Sequence, residues 1–236
     1  MPKGSQFDLS RNKILSALVP EEVRRLLPHL KLVTVRLGQV LYRNGEPFDV
    51  LYFPEEGVIL SVVTELEDGK TVEVNSIGGE GFFSIRAMLG AAVSLHSAIV
   101  QVPGRCFAID VRTLRAEFDR CGKLHRSLLQ FVHRLLVDIS QTAVCNRVHR
   151  LEQRMARWLL MLHDRAKSSE FPITHDVLSQ ILGTPRSEVT LAAGTFRKAG
   201  YIKYARGRIR IESRKGLESA ACECYRVVAE ALNSPR

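Results

Sequence analysis

The sequence has 236 residues, more than a typical single domain of about 100 to 150 residues, so we expect two domains. It contains no run of roughly 18 apolar residues and no signal-peptide core, which argues against a membrane-spanning or secreted protein and predicts a cytoplasmic one. The net charge is +9 and its excess is C-terminal, because residues 1–140 carry 17 Lys and Arg against 16 Asp and Glu, whereas residues 141–236 carry 17 against 9. A one-sided basic domain favours a nucleic-acid partner, and no basic amphipathic helix indicates a membrane surface.

Residues 31–110 consist of short apolar or alternating runs separated by glycines, a pattern typical of β-strands. The runs are Leu32–Val35, Val40–Tyr42, Val50–Phe53, Val58–Val63, Thr71–Val74 and Ala98–Ile109. Closely spaced strands of this length predict a small β-barrel or roll. We expect two short helices before it, between Arg11 and Leu30, and one short helix after it, from Val111 to Arg120.

From Lys123 to Arg165 the apolar residues recur at helical spacing without Pro or Gly, and this predicts a helix much longer than the average of about 11 to 12 residues. One row follows steps of four and three residues, the spacing that packs against a parallel partner helix. We therefore predict a homodimer interface at Leu128, Val132, Leu135, Ile139, Thr142 and Asn146. A single buried helix inside one domain is the alternative.

Two short helices joined by a glycine turn follow. Thr174 can cap the first, which ends at Gly183, and Thr184 and Pro185 can open the second, which ends at Gly200. This is a helix-turn-helix pattern, in which the second helix enters the major groove of DNA. The segment 201–211 predicts a hairpin, so the domain is a winged helix.

The outward positions of the second helix and the basic hairpin carry the candidate DNA contacts. Arg186 lies where a side chain can reach base edges, and arginine can hold guanine with two hydrogen bonds; a phosphate contact or a solvated side chain is the alternative. Basic hairpin residues and the start of the first helix suit phosphate oxygens. The predicted contacts are Thr174, Arg186, Ser187, Thr190, Leu191, Lys203, Arg206 and Arg208.

This order of parts resembles the Crp/Fnr superfamily of bacterial transcription regulators. The motifs that carry the resemblance are the segment 38–46, Gly79-Glu80 and the run from Ile173 to Arg186. The resemblance implies an α+β fold with a cyclic-nucleotide-binding-like β-roll sensor domain at residues 1–122, a dimerisation helix at 123–150 and a winged helix-turn-helix at 151–236. It also implies a homodimer on near-palindromic double-stranded DNA, with RNA polymerase as a candidate partner.

In the family pattern Arg186 matches the base-reading arginine. Ser187 and Leu191 stand where many members have Glu and Arg, so we expect a target sequence that differs from the family consensus.

The resemblance places a candidate effector pocket in the β-roll and on the long helix, at Gly79, Glu80, Arg86, His96, Ser97, Ile139 and Ser140. Members that bind cyclic AMP hold its phosphate with an Arg-Ser pair, which here reads His96-Ser97. Their adenine-facing Thr-Ser pair reads Ile139-Ser140. We therefore predict control by an unidentified effector or partner that the β-roll senses, and not by cyclic AMP. A cyclic-nucleotide-responsive regulator with Arg86 as the substitute clamp is the alternative.

The sequence leaves the cofactor open: it disfavours haem and an iron–sulfur cluster, and it indicates no metal site. The oxygen-sensing branch of the family clusters its cysteines near the N-terminus, whereas this chain has none before Cys106, and haem would rest on His96 and Pro2 alone. Two pairs, Cys121 with His125 and Cys145 with His149, have the spacing of two metal ligands on one helix face, but neither shows further ligands. The pair Cys222 and Cys224 suits a redox role or a packed interior.

An enzyme would need a nucleophile with its base, a phosphate loop or a metal constellation, and the sequence shows none, so we predict a non-enzyme. A winged helix that binds protein instead of DNA is the remaining alternative function.

Overall fold

A computed structural model describes residues 7–233 of the chain. The helices are α1 (Pro20–Leu26), α2 (Ile85–Met88), α3 (Val111–Phe118), α4 (Lys123–Val148), α5 (Leu151–Ala166), α6 (His175–Leu182), α7 (Arg186–Lys198), α8 (Arg214–Ala220) and α9 (Cys224–Asn233). The strands are β1 (Lys31–Val35), β2 (Val40–Tyr42), β3 (Val50–Pro54), β4 (Ile59–Glu65), β5 (Thr71–Ile77), β6 (Ser97–Val102), β7 (Gly104–Asp110), β8 (Glu170–Phe171), β9 (Ile202–Ala205) and β10 (Arg208–Ile211). Within residues 7–233 no helix combines the length and apolar character needed to span a bilayer.

The N-terminal strands form two sheets, in the orders β1-β7-β3 and β2-β6-β4-β5. Strands β1 and β3 pair antiparallel with β7 from its two sides. Phe53, Phe82 and Phe107 are fully buried, and the rings of Phe53 and Phe82 stack with centroids 5.1 Å apart. The α+β class and the β-roll predicted from the alternating runs are therefore confirmed.

The chain divides into two compact units. One comprises Met1–Ser61 and Ser76–His133, and the other comprises Val62–Asn75 and Arg134–Arg236. In the second unit the Trp158 indole donates a hydrogen bond to Glu73 Oε1 at 2.9 Å, which fastens the β4–β5 hairpin to α5. The sequence does not predict this grouping of residues 62–75 with the C-terminal half.

The helix predicted from Lys123 to Arg165 is wrong as a single element, because the structure breaks it into α4 and α5. Arg150 takes an extended conformation, with φ −67° and ψ 157°, and begins a new helix. Its backbone N–H donates to the Gln153 side chain at 3.2 Å, the reciprocal half of a capping box. Neither Pro nor Gly marks this break, so the spacing of apolar residues did not reveal it.

A buried ionic network fixes α5 against α4. The Asp138 carboxylate of α4 accepts hydrogen bonds from Arg157 at 3.1 Å and Arg165 at 3.2 Å, and these three side chains are at most 8% exposed. Arg157 also donates to the Thr142 hydroxyl at 2.8 Å. Thr142, predicted for a dimer interface, thus serves the packing of its own chain.

The winged helix is confirmed. Thr174 caps α6 by accepting from the Val177 N–H at 3.2 Å, and Gly183 ends α6 at φ +57°. Strands β8, β10 and β9 form a small sheet, and the β9–β10 turn has positive φ at both Arg206 and Gly207, as a type I′ hairpin requires.

Two C-terminal helices, α8 and α9, were not predicted from the sequence. Arg214 of α8 and Tyr225 of α9 both bind Asp164 of α5, at 2.6 and 2.7 Å. The first turns of α8 and α9 are therefore both anchored to α5 by hydrogen bonds.

Candidate nucleic-acid interface

Helix α7 has one buried and one exposed face. Val189, Ala192, Ala193 and Phe196 are buried, as their spacing predicted. The opposite face presents Arg186, Ser187, Thr190 and Leu191, and Leu191 is 73% exposed, the most exposed large apolar side chain among the described residues. An apolar side chain this accessible on a polar face is available to contact another molecule.

Arg186 occupies the first position of α7. Its guanidinium lies 3.3 Å from Asp176 of α6, and both side chains are at least 60% exposed. The predicted capping role of Thr184 is wrong, because its hydroxyl instead donates to the Leu182 carbonyl at 3.1 Å and Pro185 is the N-cap. The first turn of α7 has no side-chain cap, and the Glu188 N–H donates to the Pro185 carbonyl at 3.0 Å.

His175 of α6 supports this surface and was missed by the sequence analysis. Its ring stacks on Tyr204 of the wing with centroids 4.2 Å apart, and Nδ1 lies 3.0 Å from the Thr190 hydroxyl. That hydroxyl donates to the Arg186 carbonyl at 2.9 Å, so it accepts from His175 Nδ1–H, and Thr190 is engaged within the chain. Burial, and then the charge of Arg186, lower the pKa of His175 and favour the neutral ring.

The basic residues of the wing differ in whether they form ion pairs within the chain. Lys203 pairs with Glu212 at 3.2 Å and Arg208 pairs with Glu170 at 2.5 Å. Arg206, at the tip, has no ion pair with a residue of the described chain. A Cβ at Gly207 would lie 3.4 Å from Thr174 Cγ2, so the tip of the wing lies against the start of α6. The phosphate contacts predicted at Thr174 and at the wing tip are therefore close together.

Helix α4 exposes an apolar row that differs from the predicted interface. Leu129, Leu136 and Ile139 are 46%, 58% and 41% exposed, and with half-buried Val132 they follow steps of three and four residues. Leu128 is 0% exposed within the single chain, so its predicted place in a dimer interface is wrong. We call the exposed set, Leu129, Val132, Leu136 and Ile139, the α4 apolar row.

The remaining predicted interface residues behave differently. Leu135 is half-buried, and Asn146 is exposed with its side-chain oxygen accepting from Arg154 at 3.1 Å.

The predicted effector residues of the β-roll fall into two groups. Gly79 is a packing glycine, because a Cβ there would lie 2.9 Å from the backbone of Glu56, and the Glu80 side chain accepts from the Gly78 N–H at 3.1 Å. His96 lies in the field of Arg86, since burial and then the Arg86 charge lower its pKa. Arg86 lies on α2, and its charge adds to the effect of burial on the pKa of His96.

The other effector residues are placed as follows. The Ser97 hydroxyl accepts from the Asn44 N–H at 3.2 Å. Ile139 and Ser140 are exposed on α4 and belong to the second unit. Pro2, considered for haem, lies outside the described residues.

The second unit brings four metal-ligand side chains together, Cys145, His149, Cys222 and Cys224, whose donor atoms all lie within 4.8 Å of one another. We call this set the thiol–imidazole cluster. The sequence shows these residues only as two separate pairs, because it does not predict α8, α9 or the connection between them that carries Cys222. The pair of Cys121 and His125 acquires no such companions among the described residues.

Comparisons with known proteins agree with both halves of this architecture. The profile of the cyclic nucleotide-binding domain matches residues 32–121, and that of the Crp-like helix-turn-helix domain matches residues 153–220. The transcriptional regulator SdrP of Thermus thermophilus is 26% identical over 197 residues, which cover 80% of this chain and 93% of that protein. A CRP-like cAMP-activated global transcriptional regulator of Mycobacterium tuberculosis is 23% identical over 202 residues, covering 83% and 90%.

The fold also matches a solved structure. A CRP-family transcriptional regulator from Thermus thermophilus superimposes with a TM-score of 0.67 at 20% identity, covering 86% of this chain and all of that one.

Proposed function

Because the chain belongs to the Crp/Fnr superfamily of transcription regulators, we propose that it is a cytoplasmic, homodimeric regulator that reads specific DNA sequences with α7. The observation that carries this proposal is the exposed outer face of α7, with Arg186 at its leading end and the basic wing beside it. Its relatives are transcription regulators, which supports a non-enzymatic role.

The proposed interface divides into base contacts and phosphate contacts. Arg186 suits the two acceptors of a guanine, and exposed Leu191 suits the methyl group of thymine. Arg206, Arg208, Lys203 and the N-terminus of α6 suit phosphate oxygens, which position the protein without reading sequence. Ser187 is exposed next to Arg186 and lies within reach of the same groove.

Dimerisation is proposed through the α4 apolar row. Three of its side chains are more than 40% exposed in the single chain, and pairing with a second α4 would remove them from water. The resulting two-fold symmetry would present two α7 helices to half-sites about one helical turn, roughly 34 Å, apart. RNA polymerase is the proposed protein partner on the promoter.

For the effector we propose a ligand other than cyclic AMP, since His96 replaces the clamping arginine of the family pattern. The alternative is a cyclic-nucleotide-responsive regulator, which the charge of Arg86 near His96 favours. Calorimetric titration with cyclic AMP separates the two: no heat supports the first, and micromolar affinity with a matching gain in DNA binding supports the second.

The test of the DNA-binding proposal compares Arg186→Ala with Arg206→Ala on a panel of single-base variants of a selected site, at two salt concentrations. Arg186→Ala should cost about 1 to 3 kcal/mol and relax the preference at one base pair in each half-site. Arg206→Ala should weaken binding to every sequence alike and reduce the salt dependence by about one unit of slope. Equal weakening of all sites by Arg186→Ala would contradict base reading, and sequence-independent binding by the unmodified protein would favour a winged helix that serves protein interaction.

A further inference from the structure

The thiol–imidazole cluster lies where the end of α4 meets the connection between α8 and α9. Cys145 and His149 lie one turn apart on the same face at the end of α4. Cys222 lies in the connection between α8 and α9, and Cys224 is the first residue of α9. All three cysteines are at most 5% exposed. We propose that this cluster binds one zinc ion through three thiolates and one imidazole.

The donor distances fit a single tetrahedral ion. Bond lengths of about 2.3 Å to sulfur and 2.0 to 2.1 Å to nitrogen put tetrahedral ligand atoms about 3.6 to 3.8 Å apart. In the structure Cys145 Sγ lies 3.5 Å from Cys222 Sγ, and Cys224 Sγ lies 3.5 Å from His149 Nδ1. The cluster therefore already has nearly the dimensions that the ion requires.

The same distances argue against an iron–sulfur cluster. Tetrahedral ligands of one ion lie roughly 3.6 to 3.8 Å apart. Ligands of different iron atoms in a cluster lie farther apart, because the iron atoms and the sulfides that bridge them stand between those ligands. All donor atoms here are within 4.8 Å of one another. A sulfur-rich tetrahedral set selects zinc over magnesium and calcium, which prefer oxygen ligands.

Groups around the cluster orient its ligands as in metal centres. His149 Nε2 lies 3.4 Å from the Glu223 carboxylate, which leaves Nδ1 to face the thiols. The Gln141 amide donates to Cys224 Sγ at 3.1 Å, a hydrogen bond that stabilises a thiolate. A carboxylate behind a ligating histidine and a donor to a ligating sulfur are the outer contacts that tune metal affinity.

The surrounding structure holds the ligands in place without relying on the ion. Asp164 of α5 binds both Arg214 and Tyr225, and so anchors α8 and α9 to α5. The His149 side chain is 12% exposed, which gives the ion a path from solvent. On binding, the three thiols release three protons to water and the ion is taken up without any change of oxidation state.

With four protein ligands the coordination is closed, so the zinc is structural and not catalytic. It cross-links residues 77 positions apart in sequence, Cys145 and Cys222, and thereby fixes the last two helices of the DNA-binding unit to the end of α4.

Metal analysis of the full-length protein, purified without a histidine tag or chelator, tests the proposal. We expect about one zinc per chain. Replacement by Co²⁺ should give the ligand-field bands of a tetrahedral site together with thiolate charge-transfer absorption. Removal of zinc with a chelator should lower the thermal unfolding midpoint, and added zinc should restore it.

Three variants assign the ligands. Cys145→Ser should lose the zinc, and Cys121→Ser is its matched control, because Cys121 also stands four residues before a histidine but lies outside the cluster. Glu223→Gln, at an exposed position, should leave the fold intact and weaken zinc binding about 10- to 100-fold.

Several results would overturn the assignment. These are a protein that takes up no zinc even after anaerobic reconstitution with zinc chloride, a Cys145→Ser variant that keeps its zinc, or a Cys121→Ser variant that loses it. A disulfide between Cys145 and Cys222 in the protein isolated under reducing conditions would likewise exclude the zinc site.

Discussion

Among single residues, His175 contributes several contacts to the support of the proposed DNA-binding surface. His175 joins the start of α6 to the wing by stacking on Tyr204 and to α7 by its hydrogen bond with Thr190. Its Nε2 atom is buried without a partner in the described chain, so a proton there would be costly. This places a pH-sensitive group directly beneath the proposed base-reading surface.

The pH dependence of stability follows from that environment. Because burial lowers the native pKa of His175 below the unfolded value of 6.5, the unfolded chain binds more protons as the pH falls below 6.5. The contribution of His175 to the free energy of unfolding is therefore fully present above pH 6.5. It is lost as the pH falls from 6.5 through the lowered native pKa of His175.

His175→Gln should make the unfolding free energy less sensitive to pH in that window. Chemical unfolding of both proteins at pH 7.5 and at pH 5 measures the difference, and comparison of the two proteins cancels the similar contributions of His96 and His163, whose pKa values burial also lowers. An identical loss in both proteins would show that His175 is not the group responsible.

At the scale of elements, the junction of α4 and α5 depends on a carboxylate enclosed by two guanidinium groups. Asp138 and its partners Arg157 and Arg165 are all buried, and the removal of one partner from a buried ion pair leaves the opposite charge uncompensated. The network therefore fixes the position of α5 against the part of α4 around Asp138.

Asp138→Asn should destabilise the protein by about 3 to 5 kcal/mol, because two buried guanidinium groups would lose their counter-charge. Glu152→Gln, at an exposed position in the first turn of α5, is the control and should cost less than about 1 kcal/mol. Urea unfolding measures both. A small effect of Asp138→Asn would mean that water or another acceptor replaces the carboxylate.

The α4 apolar row makes a second prediction about an element. Leu136→Glu, in the middle of the row, should convert a dimer to a monomer because it would bury a charge in an apolar contact. Val148→Glu is the control, since Val148 is 64% exposed on α4 but outside the row. Sedimentation or light scattering at micromolar concentration distinguishes these states, and a monomeric unmodified protein would refute the interface.

At the scale of the whole molecule, alternation and helical spacing predicted most elements but not their exact relations. The inner face of α7 followed correctly from Val189 and Phe196, because a 3.6-residue period depends on local geometry alone. Helical spacing does not show the break at Arg150, because neither Pro nor Gly stands there, although the family resemblance ends the dimerisation helix at residue 150. Leu128 was misassigned because adjacent helical positions differ by about 100°, and only packing decides which one faces inward.

The thiol–imidazole cluster could not be predicted from the sequence as a single site. Cys145 and His149 have the correct spacing, but Cys222 and Cys224 lie more than 70 residues away in sequence. They stand just before and at the start of α9, a helix that the periodicity does not reveal. Contacts of such long range follow from tertiary packing. The one other feature of the sequence that pointed to the cluster was the closely spaced pair of Cys222 and Cys224.

We propose above that a two-fold symmetric protein reads DNA with α7. Selection of bound sequences from a random double-stranded pool, with the unmodified protein and Arg186→Ala in parallel, tests it most directly. We expect enrichment of an inverted repeat with half-sites about 10 to 10.5 base pairs apart from centre to centre, and loss of preference at one symmetric pair of positions in the variant. Recovery of unrelated sequences, or of a motif that Arg186→Ala leaves unchanged, would contradict it.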